Sequence, residues 1–243
     1  MLNAASDECS NLMEWLVVDM NAVARTVLPR VLGAAKARRA LHSMGSIHGL
    51  GVLGRMQAVA RAIAGELHEL DGPEFAALST FPESDVPRQW AAYTAQLLAP
   101  NVRSRMKWAK RAAADRNMTV RECAWMAFRP EVVRNPRGVL RMIQPLSRDV
   151  DGNVRRFAVE VTRPRSVWGA HVSEFKTTPE LGESLLSVVA CDESRYVRLA
   201  VGNWINDAAK GQPKWATALF NRWDETQVPV APDVRRRALR NVV

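Results

Sequence analysis

The chain has 243 residues, of which 47% are apolar and 24% charged, with 34 basic against 25 acidic side chains and a formal net charge of +9. That balance is ordinary for a soluble globular protein with a real core. The absence of any run of eighteen apolar residues excludes an apolar membrane-spanning helix.

The first twenty residues carry Asp7, Glu8, Glu14 and Asp19 and no Lys or Arg. A secretory signal starts with positive charge, so none is expected here. Cys9, Cys123 and Cys191 are odd in number, far apart and in no metal-like spacing. The expected setting is therefore the reducing cytoplasm, with no disulfide frame and no zinc site. Charge is unevenly placed. Residues 1–100 hold 8 basic and 10 acidic side chains, while residues 101–243 hold 26 and 15. The excess thus lies in the later part, which points to a surface facing a polyanion. Only six of the basic residues are Lys, and the planar fork of Arg suits phosphate oxygens.

Apolar residues recur at three and four from Leu12, Trp15 and Leu16 onward, and no segment alternates at period two, so the whole chain reads as α-helical. Residues 1–100 read as less regular helices. Within them Gly49-Leu50-Gly51-Val52-Leu53-Gly54 matches a dinucleotide-binding fingerprint, but that motif needs a preceding buried strand. Ala34 to Ser43 read as a basic helix instead, so an inter-helix turn is expected and no organic cofactor. Pro73, Pro82, Pro87, Pro100, Pro136, Pro179, Pro213 and Pro232 fall between periodic segments, where helices start or stop.

From residue 101 an internal repeat takes over. Asp115…Val120-Arg121…Ala124 returns as Asp149…Val154-Arg155…Ala158, as Asp192…Val197-Arg198…Ala200, and in short form as Asp233-Val234-Arg235…Ala238. The valines are 34, 43 and 37 residues apart, one helical hairpin per unit. Asp is expected to end the inter-helix turn, Val and Ala to enter the core, and Arg to point outward. The signature resembles the HEAT repeat. It implies an all-α, right-handed α-solenoid of HEAT-like hairpins with a concave basic face, forming one domain over residues 1–243.

Two stretches carry candidate chemistry. In Asn153-Val-Arg-Arg-Phe-Ala-Val-Glu-Val-Thr-Arg-Pro-Arg-Ser-Val-Trp168, Arg156 and Glu160 stand four apart on one helix face. Arg163-Pro164-Arg165 follows as a stiff connector, and Trp168 is expected to open the next helix. In Val197-Arg-Leu-Ala-Val-Gly-Asn-Trp-Ile-Asn-Asp207, Asn203 and Asp207 share a face in the same way. In stacked hairpins the second helices lie side by side, so Glu160 and Asp207 are expected to converge. Read alone, Glu160 would simply pair with Arg156 or Arg163, and Asp207 could cap the following turn. His42, His48, His68 and His171 form no cluster, so neither metal nor histidine catalysis is expected.

Together the two segments resemble the AlkC-type branch of the bacterial HEAT-like DNA alkylation glycosylases, the AlkC and AlkD superfamily. The likeness is clear over about residues 115–215. It implies a monomeric bacterial enzyme of the cytosol and nucleoid, excising N3- and N7-alkylated purines from double-stranded DNA without metal or cofactor. By that resemblance Glu160, Asp207 and Glu122 are the catalytic carboxylates. Trp168 matches a lesion contact, joined by Trp125 or Trp204 because an indole face attracts a cationic ring; Arg156, Arg163 and Arg165 match positions that hold DNA, with Arg121 and Arg198 as further candidates. The run RECAWMAFRP around Glu122 departs from the branch's pattern. Arg121, Arg155 and Arg198 are also the repeat-signature arginines, whose commoner use is pairing with turn aspartates. Trp15, Trp90, Trp108 and Trp215 read as core or packing residues. The rival functions are a catalytically silent HEAT module that binds nucleic acid and a protein scaffold meeting an acidic partner.

Overall fold

The computed structural model describes residues 1–242, and among them every regular element is helical. The all-α fold expected from the apolar spacing is what forms. Two compact units divide at Ala127/Phe128, inside one long helix.

The first unit contains α1 (Leu12–Val17), α2 (Met20–Met44), α3 (Val52–Ala64), α4 (Pro73–Ser79), α5 (Asp85–Leu98), α6 (Val102–Ala113) and the start of α7 (Met118–Arg134). Short polar side chains start several of these helices by taking orphan amide protons. Asn11, Asp19, Ser84 and Asn101 each accept such a bond, a cap that contributes about 1 kcal/mol. Helix α2 breaks direction at Gly33, whose φ of 75° is open to glycine and strained for other residues. The glycine-rich stretch spans the end of the turn between α2 and α3 and the first residues of α3, with Gly51 as its N-cap. Helix α5 packs against α3, α4 and α6 and supplies the fully buried Trp90. A buried polar chain crosses this core. The Trp15 indole donates to Gln89 at 2.7 Å, Gln89 donates to Asp85 and Thr119, and Thr119 in turn bonds Asp85.

The second unit holds the rest of α7, then α8 (Pro136–Ile143), α9 (Gly152–Val161), α10 (Ser173–Thr177), α11 (Glu183–Val189), α12 (Arg195–Ala209), α13 (Pro213–Glu225) and α14 (Pro232–Ala238). Pro136, Pro213 and Pro232 each occupy the first helical position, where the missing N–H is no loss. Helix α12 is the centre of this unit, packed between α9 and α14.

The repeat signature has the expected core half. Val120, Val154, Val197 and Val234 are buried, as are Ala124, Ala158, Ala200 and Ala238. Its arginines do not point outward as expected. Arg155 Nη1 donates to the carbonyls of Asp149 and Val150 at 2.9 and 3.1 Å, and its Nε reaches forward to Asp192 at 2.7 Å. Arg198 repeats the pattern on the carbonyls of Asp192 and Glu193 and on Asp233. Arg121 likewise donates to the carbonyls of Asp115 and Arg116. The tight turns leave carbonyl oxygens without amide partners, and the signature guanidinium satisfies them. Each of the two complete rungs also ties one hairpin to the aspartate of the next.

Candidate active site

Helices α9 and α12 pack side by side and bring two carboxylates together. Glu160 lies in the last turn of α9 and Asp207 in the last turn of α12, at 5% and 4% exposure. Arg163, just past the end of α9, bridges them. Its Nη1 donates to Glu160 Oε1 at 2.7 Å, while Nε donates to Asp207 Oδ2 at 2.8 Å. The second oxygen of each acid faces a weaker partner, Arg156 Nη2 at 3.4 Å for Glu160 and Lys210 Nζ at 3.6 Å for Asp207. Burial alone would pull the Arg163 guanidinium down, but Glu160 and Asp207 more than offset this and raise it. The cluster thus sets two buried carboxylates among the side chains of Arg156, Arg163 and Lys210. Spacing of four on each helix is what aims these side chains inward, as the sequence implied.

The remaining expected residues distribute unevenly. Arg156 stacks its guanidinium over the Tyr196 ring at 4.5 Å. Arg165 is half-buried and donates from Nε to the Asp207 carbonyl at 3.0 Å. Trp168 does not open a helix. It sits half-buried in the loop between α9 and α10, which runs to Val172, where the Val172 amide closes back on the Pro164 carbonyl at 3.0 Å. Trp204 is placed in the core rather than at a surface where a base could meet it. It is 0% exposed, packs on Phe175 and Trp215, and donates its indole N–H to Thr162. The apolar stripe Val197, Val201, Trp204, Ala208 carries it inward. Arg121 and Arg198 are engaged by the turns described above. In the first unit, Trp125 is buried and donates its indole N–H to Glu122 at 2.6 Å. Among the described residues no group of acids, histidines and cysteines could hold a metal ion.

One residue that the sequence reading missed organises the loop. Arg129, in α7 and 2% exposed, donates to the carbonyls of Ala170, Val161 and Arg163 at 2.7, 3.0 and 2.7 Å. Burial pulls it down to about 10, with the Arg163 charge adding to the effect, and it stays protonated at neutral pH. A buried arginine whose partners lie over thirty residues away leaves no periodic signature. Asn203, one turn before Asp207 in α12, accepts a bond from Arg237 Nε at 2.7 Å. Asn206 is a packing staple that donates to the Ala238 carbonyl.

No family model matches the chain. The uncharacterized protein YhaZ of Bacillus subtilis (strain 168) is 28% identical over 116 residues, which is 48% of this chain and 32% of that protein. A solved structure of Pseudomonas fluorescens alkylpurine DNA glycosylase AlkC, bound to DNA containing an abasic site analog, is 25% identical with a TM-score of 0.74. It matches 96% of this chain, whereas the chain spans 64% of AlkC and about a third of YhaZ. In fold, over nearly its whole length, the chain is an AlkC/AlkD-like helical protein.

Proposed function

We propose that the chain is a DNA glycosylase that hydrolyses the N-glycosidic bond of N3- and N7-alkylated purines in duplex DNA. The observation that carries the reading is the pair of buried carboxylates, Glu160 and Asp207, held by one arginine in an otherwise cationic neighbourhood. A surface that only gripped phosphates would gain nothing from acids there. The likeness to a DNA-bound alkylpurine glycosylase supports the same reading. The proposal includes a single HEAT-like domain with a concave basic face, acting as a monomer in the bacterial cytosol and nucleoid without cofactor.

Alkylation leaves the purine cationic on a weakened bond, so little acid catalysis is needed. As the C1′–N bond breaks, its electron pair leaves with the base, which departs neutral, and positive charge builds on the sugar. A fixed carboxylate stabilises that charge and takes a proton from the water that adds to C1′. Glu160 and Asp207 are assigned this part. The face of Trp168 would attract the cationic ring. Arg156, Arg163 and Arg165 would hold backbone phosphates. Trp204 is left out because its ring is fully buried, and Arg121 and Arg198 because they close the inter-helix turns of their own repeats.

The deciding experiment measures free 7-methylguanine and 3-methyladenine released from methylated duplex DNA. Release by the native chain, lost in Glu160→Gln or Asp207→Asn variants that keep their helicity, is the expected result. No release by the native chain overturns the reading. A second reading, a silent nucleic-acid-binding module, draws support from one observation: Arg163 already pairs both acids. DNA binding without base release would select it.

A further inference from the structure

We propose that Arg195, Arg237 and Arg240 form a separate anion site that takes a backbone phosphodiester of nucleic acid beside the carboxylate pair. The inference rests on the nucleic-acid reading above and adds three residues to it. Arg237, in α14, crosses α12 at Gly202, where a Cβ would come within 2.9 Å of its own Cβ and 3.1 Å of its Cδ. Only glycine lets the arginine lie flat on the helix at that point. Its Nε is then fixed by the Asn203 side-chain oxygen at 2.7 Å, which orients the fork. Asn203 precedes Asp207 by one turn of α12, a rise of about 5.4 Å, so the guanidinium borders the carboxylate cluster.

Charge distinguishes this group from an ordinary solvated face. Arg195 stands at the start of α12 and Arg240 follows α14, both exposed. Among the described residues, none of the three pairs with a carboxylate, whereas Arg155, Arg163 and Arg198 all do. The Arg237 guanidinium is pulled down by burial first and then by Arg240, Arg163 and Arg195; of these neighbours only Arg163 holds carboxylates, so among the described residues Arg195, Arg237 and Arg240 carry no counter-ion of their own. Such an arrangement is relieved by an oxygen-rich anion, and a guanidinium fork matches a phosphodiester. A free carboxylate ligand would meet the nearby acids as well, whereas a nucleic-acid strand runs past them and places successive phosphates on both arginine groups.

The test is salt-dependent binding of the full chain to a fluorescently labelled, undamaged DNA duplex, read by anisotropy. Three variants are compared with the native chain: Arg237→Gln, Arg195→Gln with Arg240→Gln, and Arg25→Gln as a charge-loss control on the exposed face of α2. The double variant removes side chains that make no bond within the described protein, so it guards against a folding defect in Arg237→Gln. The plot of log affinity against log salt should become shallower by roughly 0.9 for each phosphate that is no longer neutralised, with no change in the control. Unchanged slopes in both cluster variants, or an equal change in the control, overturn the site. Shallower slopes with no base release by the native chain would keep this site and remove the glycosylase reading. Failure of the native chain to bind duplex DNA would overturn both.

Discussion

Replacing Arg163 by alanine strips Glu160 and Asp207 of the partner they share, and the consequence can be worked from their burial. The two acid side chains are 7% and 6% exposed, so neither can recover its hydration without moving. Leaving a buried charge unpaired costs about 3–5 kcal/mol. Each acid keeps one weaker cation, Arg156 or Lys210, at 3.4 or 3.6 Å, which offsets part of that loss. The expected destabilisation is therefore roughly 2–4 kcal/mol, with the larger values reached if Lys210 stays in solvent. For a chain of this size each kcal/mol moves the unfolding midpoint by about 2–4 °C, so the midpoint should fall by roughly 4–16 °C. Thermal unfolding followed by circular dichroism measures it. The physics also makes a sharper demand on a triple variant, Arg163→Met with Glu160→Gln and Asp207→Asn. Neutralising all three groups removes the stranded charges, so it should be more stable than Arg163→Ala alone. A midpoint for Arg163→Ala within about 1 °C of the native value, or a triple variant weaker than the single one, would refute the account of the cluster.

The turn ladder gives a second expectation. Arg198→Ala releases the carbonyls of Asp192 and Glu193 and the Asp233 carboxylate; stability should fall by about 1–2 kcal/mol in urea unfolding while the salt slope for DNA stays native, and a changed slope would instead make Arg198 a phosphate ligand. Gly182→Ala would drive a Cβ to 2.5 Å from Trp204 Cζ2. The ring is rigid and buried, so a loss of about 1–3 kcal/mol is expected, read as a lower midpoint with a shift in tryptophan emission, and native behaviour would contradict the packing. Glu8 titrates below its ordinary value of 4.5: burial opposes ionisation, and bonds from Arg116, Asn117 and Arg88 outweigh it. Its contribution is thus present above about 4.5 and lost as pH falls through the lower folded value. Glu8→Gln should lower stability at neutral pH and flatten its decline on acidification, and an equal decline in both chains would count against the linkage.

The all-helical class was legible because apolar spacing of three and four runs through the chain, and the hairpin period because Val and Ala must be buried in every copy. Convergence of Glu160 with Asp207 was legible for the same reason: spacing of four on neighbouring helices is local geometry. What escaped was whatever depends on distant partners. The signature arginines read as outward because each follows a core-facing valine, yet the turn carbonyls draw them in. Trp204 reads as a lesion-facing ring because an indole face attracts a cationic base, although its own stripe with Val197 and Val201 marks it as core. Trp168 reads as a helix start because Arg-Pro-Arg precedes it. The loop instead continues to Val172, since Arg129 supplies the bonds that a helix would have supplied.

That tether has a consequence for how the site could change. Arg129 holds the segment from Val161 to Ala170 only through main-chain oxygens, and an oxygen of the peptide group is present whatever residue bears it. The path of the segment is therefore indifferent to most exchanges of its side chains. Positions such as Val167, which is 89% exposed, are open to substitution while the anchor stays put. Variation in what this strip presents to solvent would then arise along a route fixed from below.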